Sequence, residues 1–199
     1  MSSTKQNSFE AFASEARKCT ICPDLADKTA VLSDLNGNLS PRVMFVAEAP
    51  GRQGADRTRR PFWGDKSGEN FQVLLDSIGL SRDEIFITNA VMCSPRTPNG
   101  ANRRPKQSEI RNCSSYLKRT VDLIAPRLIA TLGTVALGAL SSIEAHDLKI
   151  KESVGKPVDW YGRTLIPFYH PSPQVIAAIR NLEEQVQDYA ALGRLITKA

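Results

Sequence analysis

The chain is 199 residues long, 41% apolar and 24% charged, and carries a net charge of +5. This is one globular domain's worth of chain with enough apolar residues for a core, which excludes collagen-like, disordered and membrane-spanning classes. The isoelectric point near 9.1 favours a polyanionic partner without demanding one.

Residues 5–18 place Phe9, Phe12, Ala13 and Ala16 at helical spacing and run into Cys19-x-x-Cys22-Pro23. Residues 1–18 hold no apolar leader, so no targeting segment is expected. Arg42–Ala47 (RVMFVA) is a short β-rich run that ends in Glu48-Ala49-Pro50-Gly51. A basic loop with Arg52, Arg57, Arg59 and Arg60 follows, ahead of Pro61-Phe62-Trp63-Gly64. Ser67 is the expected N-cap of a helix reaching Ile78, with Phe71, Leu74 and Leu75 on one face. Glu84–Val91 reads as a second strand, Lys106–Ile124 as a helix, Arg127–Thr131 as a third strand and Gly133–Leu140 as a short helix. Gly162–Tyr169 is the fourth strand, ending at His170-Pro171-Ser172-Pro173, and one or two helices fill residues 174–196. The longest uncharged run, Leu128–Ile143, is shorter than the ~20 residues of a spanning helix.

Strands alternating with helices predict a three-layer α/β/α fold around a central, mainly parallel, four-stranded sheet. Ligands of such sheets sit outside the carboxyl ends of the strands. Glu48–Gly51, Asn89 and His170–Ser172 all stand there. Each alone could be a turn or a satisfied polar group; a shared edge makes them a candidate site.

The absence of a secretory leader points to a cytoplasmic setting, where four cysteines argue for metal binding or chemistry rather than disulfides. Cys19 and Cys22 form a C-x2-C pair, Cys93 lies 71 residues on, and Cys113 another 20. One turn can present two thiolates to one centre, and four-cysteine sites hold zinc or an iron–sulfur cluster. The wide spacing of the second pair favours a cluster. Zinc, or four unrelated buried cysteines, stay open on spacing alone.

Glu48-Ala49-Pro50-Gly51, Pro61-Phe62-x-Gly64, Asn89 ahead of Cys93, and His170-Pro171-Ser172 together resemble the uracil-DNA glycosylase superfamily. With the four cysteines in order, the chain is similar to its iron–sulfur members, families four and five, from about Arg17 to the C-terminus. The match is mixed. Glu48–Gly51 and Pro61-Phe62 look like family four, whereas Gly54–Arg60 and Gly64-Asp65-x-Ser67-Gly68 look more like family five. A further cousin captures its product through a histidine after the third cysteine; residues 94–112 contain none, which excludes that activity.

The resemblance implies a single domain over residues 1–199, with an N-terminal cysteine-bearing helix and loop, that starts base excision repair by releasing uracil from single- or double-stranded DNA. It implies a 4Fe–4S cluster on Cys19, Cys22, Cys93 and Cys113, and a monomer that touches no membrane. Asn89 would read the base edge, Phe62 would stack on the base, and His170 would stabilise charge on its O2. Glu48 would orient water, while Ala49 and Gly51 would complete the base pocket. Ser172 would grip phosphate with Arg57, Arg59 and Arg60, and Arg103 and Arg104 are further candidates; residues 174–176 would fill the gap left by the flipped base. Ala49 stands where the best-known family has its water-activating acid, so a catalytically weak iron–sulfur lesion sensor is the competing reading. Gly54 stands where family four has an acidic residue, which implies a roomier pocket unless Trp63 closes it.

Overall fold

Every residue of β1 (Val43–Ala47) is buried, and a strand buried along its whole length needs a sheet covered on both faces. The computed structural model describes residues 2–198 and shows that arrangement. Alternate side chains of β1 divide between two cores. Val43, Phe45 and Ala47 pack with Phe71, Leu74 and Leu75 of one helix and Tyr189, Leu192 and Ile196 of another. Met44 and Val46 face the opposite layer, where Phe9, Phe12, Leu117, Val121, Ala136 and Leu140 gather.

In chain order the elements are α1 (Ser2–Arg17), β1, α2 (Ala55–Thr58), α3 (Lys66–Asp76), β2 (Ile85–Asn89), α4 (Gln107–Ile124), β3 (Leu128–Leu132), α5 (Thr134–Leu140), α6 (Ile150–Ser153), β4 (Val158–Trp160), β5 (Arg163–Phe168), α7 (Pro173–Ala178) and α8 (Leu182–Lys198). The sheet order is β2-β1-β3-β5-β4. Strands β2, β1, β3 and β5 run parallel, so Ala47, Asn89, Leu132 and Phe168 all finish at one edge. Helices α3 and α8 cover one face, and α1, α4 and α5 cover the other. The three-layer α/β/α class is therefore as expected.

The sheet has five strands rather than four. The extra strand, β4, pairs antiparallel with β5 and is only three residues long, with the exposed Asp159 at its centre, so no apolar run announces it. Tyr161 (φ 50°) and Gly162 (φ 64°) make its two-residue turn, where positive φ at both positions matches the twist of the paired strands. The start of α3 also differs from expectation. Asp65 caps it, its carboxylate accepting the Gly68 amide at 2.9 Å, so Ser67 lies inside the helix. The C-terminal stretch is the two helices α7 and α8.

Candidate active site and cysteine layer

The carboxyl edge of the sheet opens into a cavity of about 400 Å³. Glu48, Ala49, Gly51, Phe62, Asn89, His170 and Ser172 line it together. Asn89 is the last residue of β2 and pairs in register with Ala47, so it reaches the same strand edge as Glu48, and both line the cavity. The Asn89 amide nitrogen is buried with no partner among the described residues, a donor held in reserve for something in the cavity. Burial raises the pKa of Glu48 above the ordinary carboxylate value, and the nearby Arg104 charge works against that rise.

His170 lies two residues beyond β5. Burial pushes its imidazole down to about 4, which leaves it neutral at physiological pH. Two features make room for it. Gly133, at φ 94°, ends β3 where an added Cβ would stand 3.3 Å from the Cβ of His170. Asn70, on α3, donates to the Pro171 carbonyl at 2.9 Å and pins the loop. Ser172 caps α7, its hydroxyl accepting the Val175 amide, and the residue lines the cavity. The Phe62 ring lies 5.5 Å from the imidazole of His170 and 4.7 Å from Phe71, measured between centroids.

Gly54 does not leave open space. An added Cβ there would fall 2.1 Å from a carboxylate oxygen of Asp65, so Asp65 already fills the volume that a side chain at 54 would claim. Asp65 itself lines the cavity. Trp63 is half-exposed and lies under the Arg60 guanidinium at 4.0 Å, outside the cavity lining. The space beside Gly54 is thus occupied by the carboxylate that caps α3 rather than left open.

The expected phosphate contacts separate. Arg59 turns inward and donates to the Thr29 and Ala30 carbonyls at 3.0 and 2.6 Å, pinning a loop rather than offering itself to a partner. Arg57 is exposed with one bond to the Gly64 carbonyl, and Arg60 stacks on Trp63. Neither borders the cavity, whereas Arg103 and Arg104 do. Arg103 is committed to a two-pronged bond with the buried Glu109, at 2.9 and 2.5 Å. Among the described residues Arg104 bonds the Thr134 hydroxyl alone, at 3.2 Å. Asn70 had no motif to mark it; Asp65 stood in the Gly64–Gly68 motif and Arg104 among the candidate phosphate contacts, but their tasks depend on where α3 and the loop before α4 come to rest.

Behind the cavity lie the cysteines. Cys19 follows α1, Cys22 precedes a turn of 3-10 helix, Cys93 follows β2, and Cys113 is buried in α4. All four are free thiols. Burial first, and then the neighbouring cysteines, push Cys93 up to about 12 and Cys113 to about 11. Burial and the neighbouring sulfurs disfavour the thiolates of Cys93 and Cys113, and a cationic centre reverses that balance. The donor set therefore fits a metal–sulfur group. Among the described residues, no three His, Cys, Asp or Glu side chains are grouped so as to hold a single metal ion. Asn112 donates to the Cys22 sulfur at 3.4 Å. Ala49 packs against the layer of Leu25, Val91, Cys93 and Cys113 while lining the cavity, so one residue joins the two sites.

The family model for the uracil DNA glycosylase superfamily matches residues 36–192. The chain belongs to that superfamily. A type-4 uracil-DNA glycosylase of Thermotoga maritima is 35% identical over 170 residues, covering 85% of this chain and 84% of the relative. A type-4 uracil-DNA glycosylase of Archaeoglobus fulgidus is 32% identical over 196 residues, covering 96% and 94%. A type-5 uracil-DNA glycosylase of Pyrobaculum aerophilum is 31% identical over 199 residues, covering 85% of each. Similarity to both types accords with the mixed motifs of this superfamily member. Among the described residues, no helix is long and apolar enough to cross a membrane.

Proposed function

We propose that the chain is a DNA glycosylase that rotates uracil out of DNA and hydrolyses its N-glycosidic bond, starting base excision repair. The observation that carries the reading is the unpartnered Asn89 amide, buried in the same cavity as Phe62 and the desolvated His170. A stacked base is out of reach of any such pocket, so the nucleotide must leave the helix at a cost of a few kcal/mol. Asn89 accepts from uracil N3–H and donates to O4. Cytosine reverses both polarities and would leave the amide unpaired. The Phe62 ring supplies a flat stacking face. A neutral His170 donates to O2 as negative charge builds on the departing base. Glu48 orients the attacking water and offsets positive charge on the sugar, a task that Ala49 cannot share.

Phosphates are met at the cavity by Ser172 and Arg104, and farther along the DNA by Arg57 and Arg60, which lie outside the cavity lining. Cys19, Cys22, Cys93 and Cys113 are the ligands of a 4Fe–4S cluster, a reading supported by the raised thiols of Cys93 and Cys113, which lie among the other cysteines, and by similarity to type-4 and type-5 relatives. That cluster supplies structural bracing between α1, α4 and the loop after β2, since hydrolysis transfers no electrons. The whole chain acts as a single-domain monomer in the cytoplasm.

The test is release of uracil from single- and double-stranded oligonucleotides, with iron content and visible absorbance measured on the same preparation. Asn89→Ala and His170→Ala are each expected to slow release by orders of magnitude without lowering the melting temperature substantially. Wild-type binding to uracil-containing DNA with no release would favour the lesion-sensor reading instead. One zinc and no iron per chain would remove the cluster.

A further inference from the structure

We infer that Arg82 is a positioning residue for the aromatic wall of the pocket, its guanidinium holding the backbone of Phe62 in the left-handed conformation that seats the ring beside His170. The inference deepens the glycosylase reading and rests on it for its kinetic test.

Phe62 has φ 51°, a region that a bulky residue occupies only where its surroundings over-determine it. Two neighbours impose it. On one side Arg82 donates through Nη2 to the Phe62 carbonyl at 2.8 Å and through Nη1 to the Pro61 carbonyl at 3.2 Å. Its Nε donates to Gln72 on α3 at 2.8 Å, and its guanidinium carbon lies 5.4 Å from the Phe71 ring centroid. On the other side α3 presses so close that a Cβ at Gly68 would stand 2.4 Å from the same Phe62 oxygen. The carbonyl is thereby fixed outward and the ring inward, between Phe71 and His170.

Arg82 lies outside the cavity lining and makes no ion pair with a carboxylate among the described residues. A half-buried cation without a paired carboxylate among the described residues keeps its place through the acceptors it finds, and here two of three are the carbonyls of Pro61 and Phe62. Without that fork the Phe62 carbonyl loses its guanidinium donor, and relaxation of Phe62 to negative φ swings the ring away from His170.

The experiment is a double-mutant cycle between Arg82 and Phe62 by single-turnover uracil release, with melting temperature and affinity for undamaged DNA measured alongside. Arg82→Met, which keeps length and loses the fork, is expected to slow release about tenfold with undamaged-DNA affinity within about twofold. On a Phe62→Ala background, the same substitution is expected to cost less than about threefold more. Arg82→Lys, which reaches one carbonyl, should fall between wild type and Arg82→Met, and it carries the cycle if Arg82→Met does not fold. Fully additive losses, or an Arg82→Met rate equal to wild type, would overturn the assignment. If the wild type releases no uracil, the glycosylase reading fails by itself, and the Phe62 ring resonances decide the assignment. They should shift in Arg82→Lys relative to wild type; unchanged resonances would sink it.

Discussion

A histidine that takes a proton only near pH 4 works through its N–H rather than through a charge, and this fixes how His170 depends on pH. Above 6.5 the imidazole is neutral in both folded and unfolded chains and contributes no pH dependence. Between 6.5 and about 4 the unfolded chain binds a proton that the folded chain refuses, so stability falls as the pH drops through this window. Glu48 acts in the opposite sense, because burial raises its pKa and the folded state then holds its proton more firmly. Comparison with His170→Gln cancels the Glu48 part. Wild type should lose melting temperature relative to His170→Gln between pH 7 and 4.5, and a constant gap would mean an ordinarily titrating imidazole. At this scale Asp65 gives a second expectation. Asp65→Ser keeps an oxygen that can cap α3 but withdraws the carboxylate from the wall beside Gly54. Cleavage of 5-substituted uracil or hypoxanthine, relative to uracil, should rise several-fold; an unchanged ratio would show that the wall lies elsewhere.

Helix α3 shows what one element contributes and how little of that is written in its apolar pattern. Phe71, Leu74 and Leu75 mark its buried face in the sequence, and the helix was legible from them alone. Its other tasks were not legible. Asp65 fills the pocket wall, Gly68 lets the Phe62 carbonyl approach, Asn70 holds the loop after His170, and Gln72 anchors Arg82. Each depends on a partner distant in sequence, and no periodicity reports such a partner. Gly68→Ala is the cleanest probe of the element, because its Cβ would meet backbone rather than a flexible side chain. It should destabilise the fold by about 1–3 kcal/mol, as overpacking does. It should also slow uracil release beyond what an equal loss of stability at the far end of α3 produces. Chemical denaturation and single-turnover kinetics on the same variant separate the two effects.

For the molecule as a whole, the parallel strands and the site edge were readable because full burial demands unbroken apolar runs and because Glu48, Asn89 and His170 end those runs. The arginines were less readable. Charge alone does not distinguish Arg59, spent on two carbonyls, from Arg104, which lines the cavity. Strand β4 was invisible for the same kind of reason: three residues and a central aspartate carry no β signature, and only its pairing with β5 makes it a strand. That small hairpin has a consequence for how the protein lives at high concentration. Without it, β5 would present a free row of amides and carbonyls, a template on which a second copy could add its own strand. With it, the outermost ribbon on that side is three residues long, bears Asp159 toward water and ends in a tight turn. Such a border is too short and too charged to recruit a neighbour into a growing stack, so this side of the sheet discourages self-association.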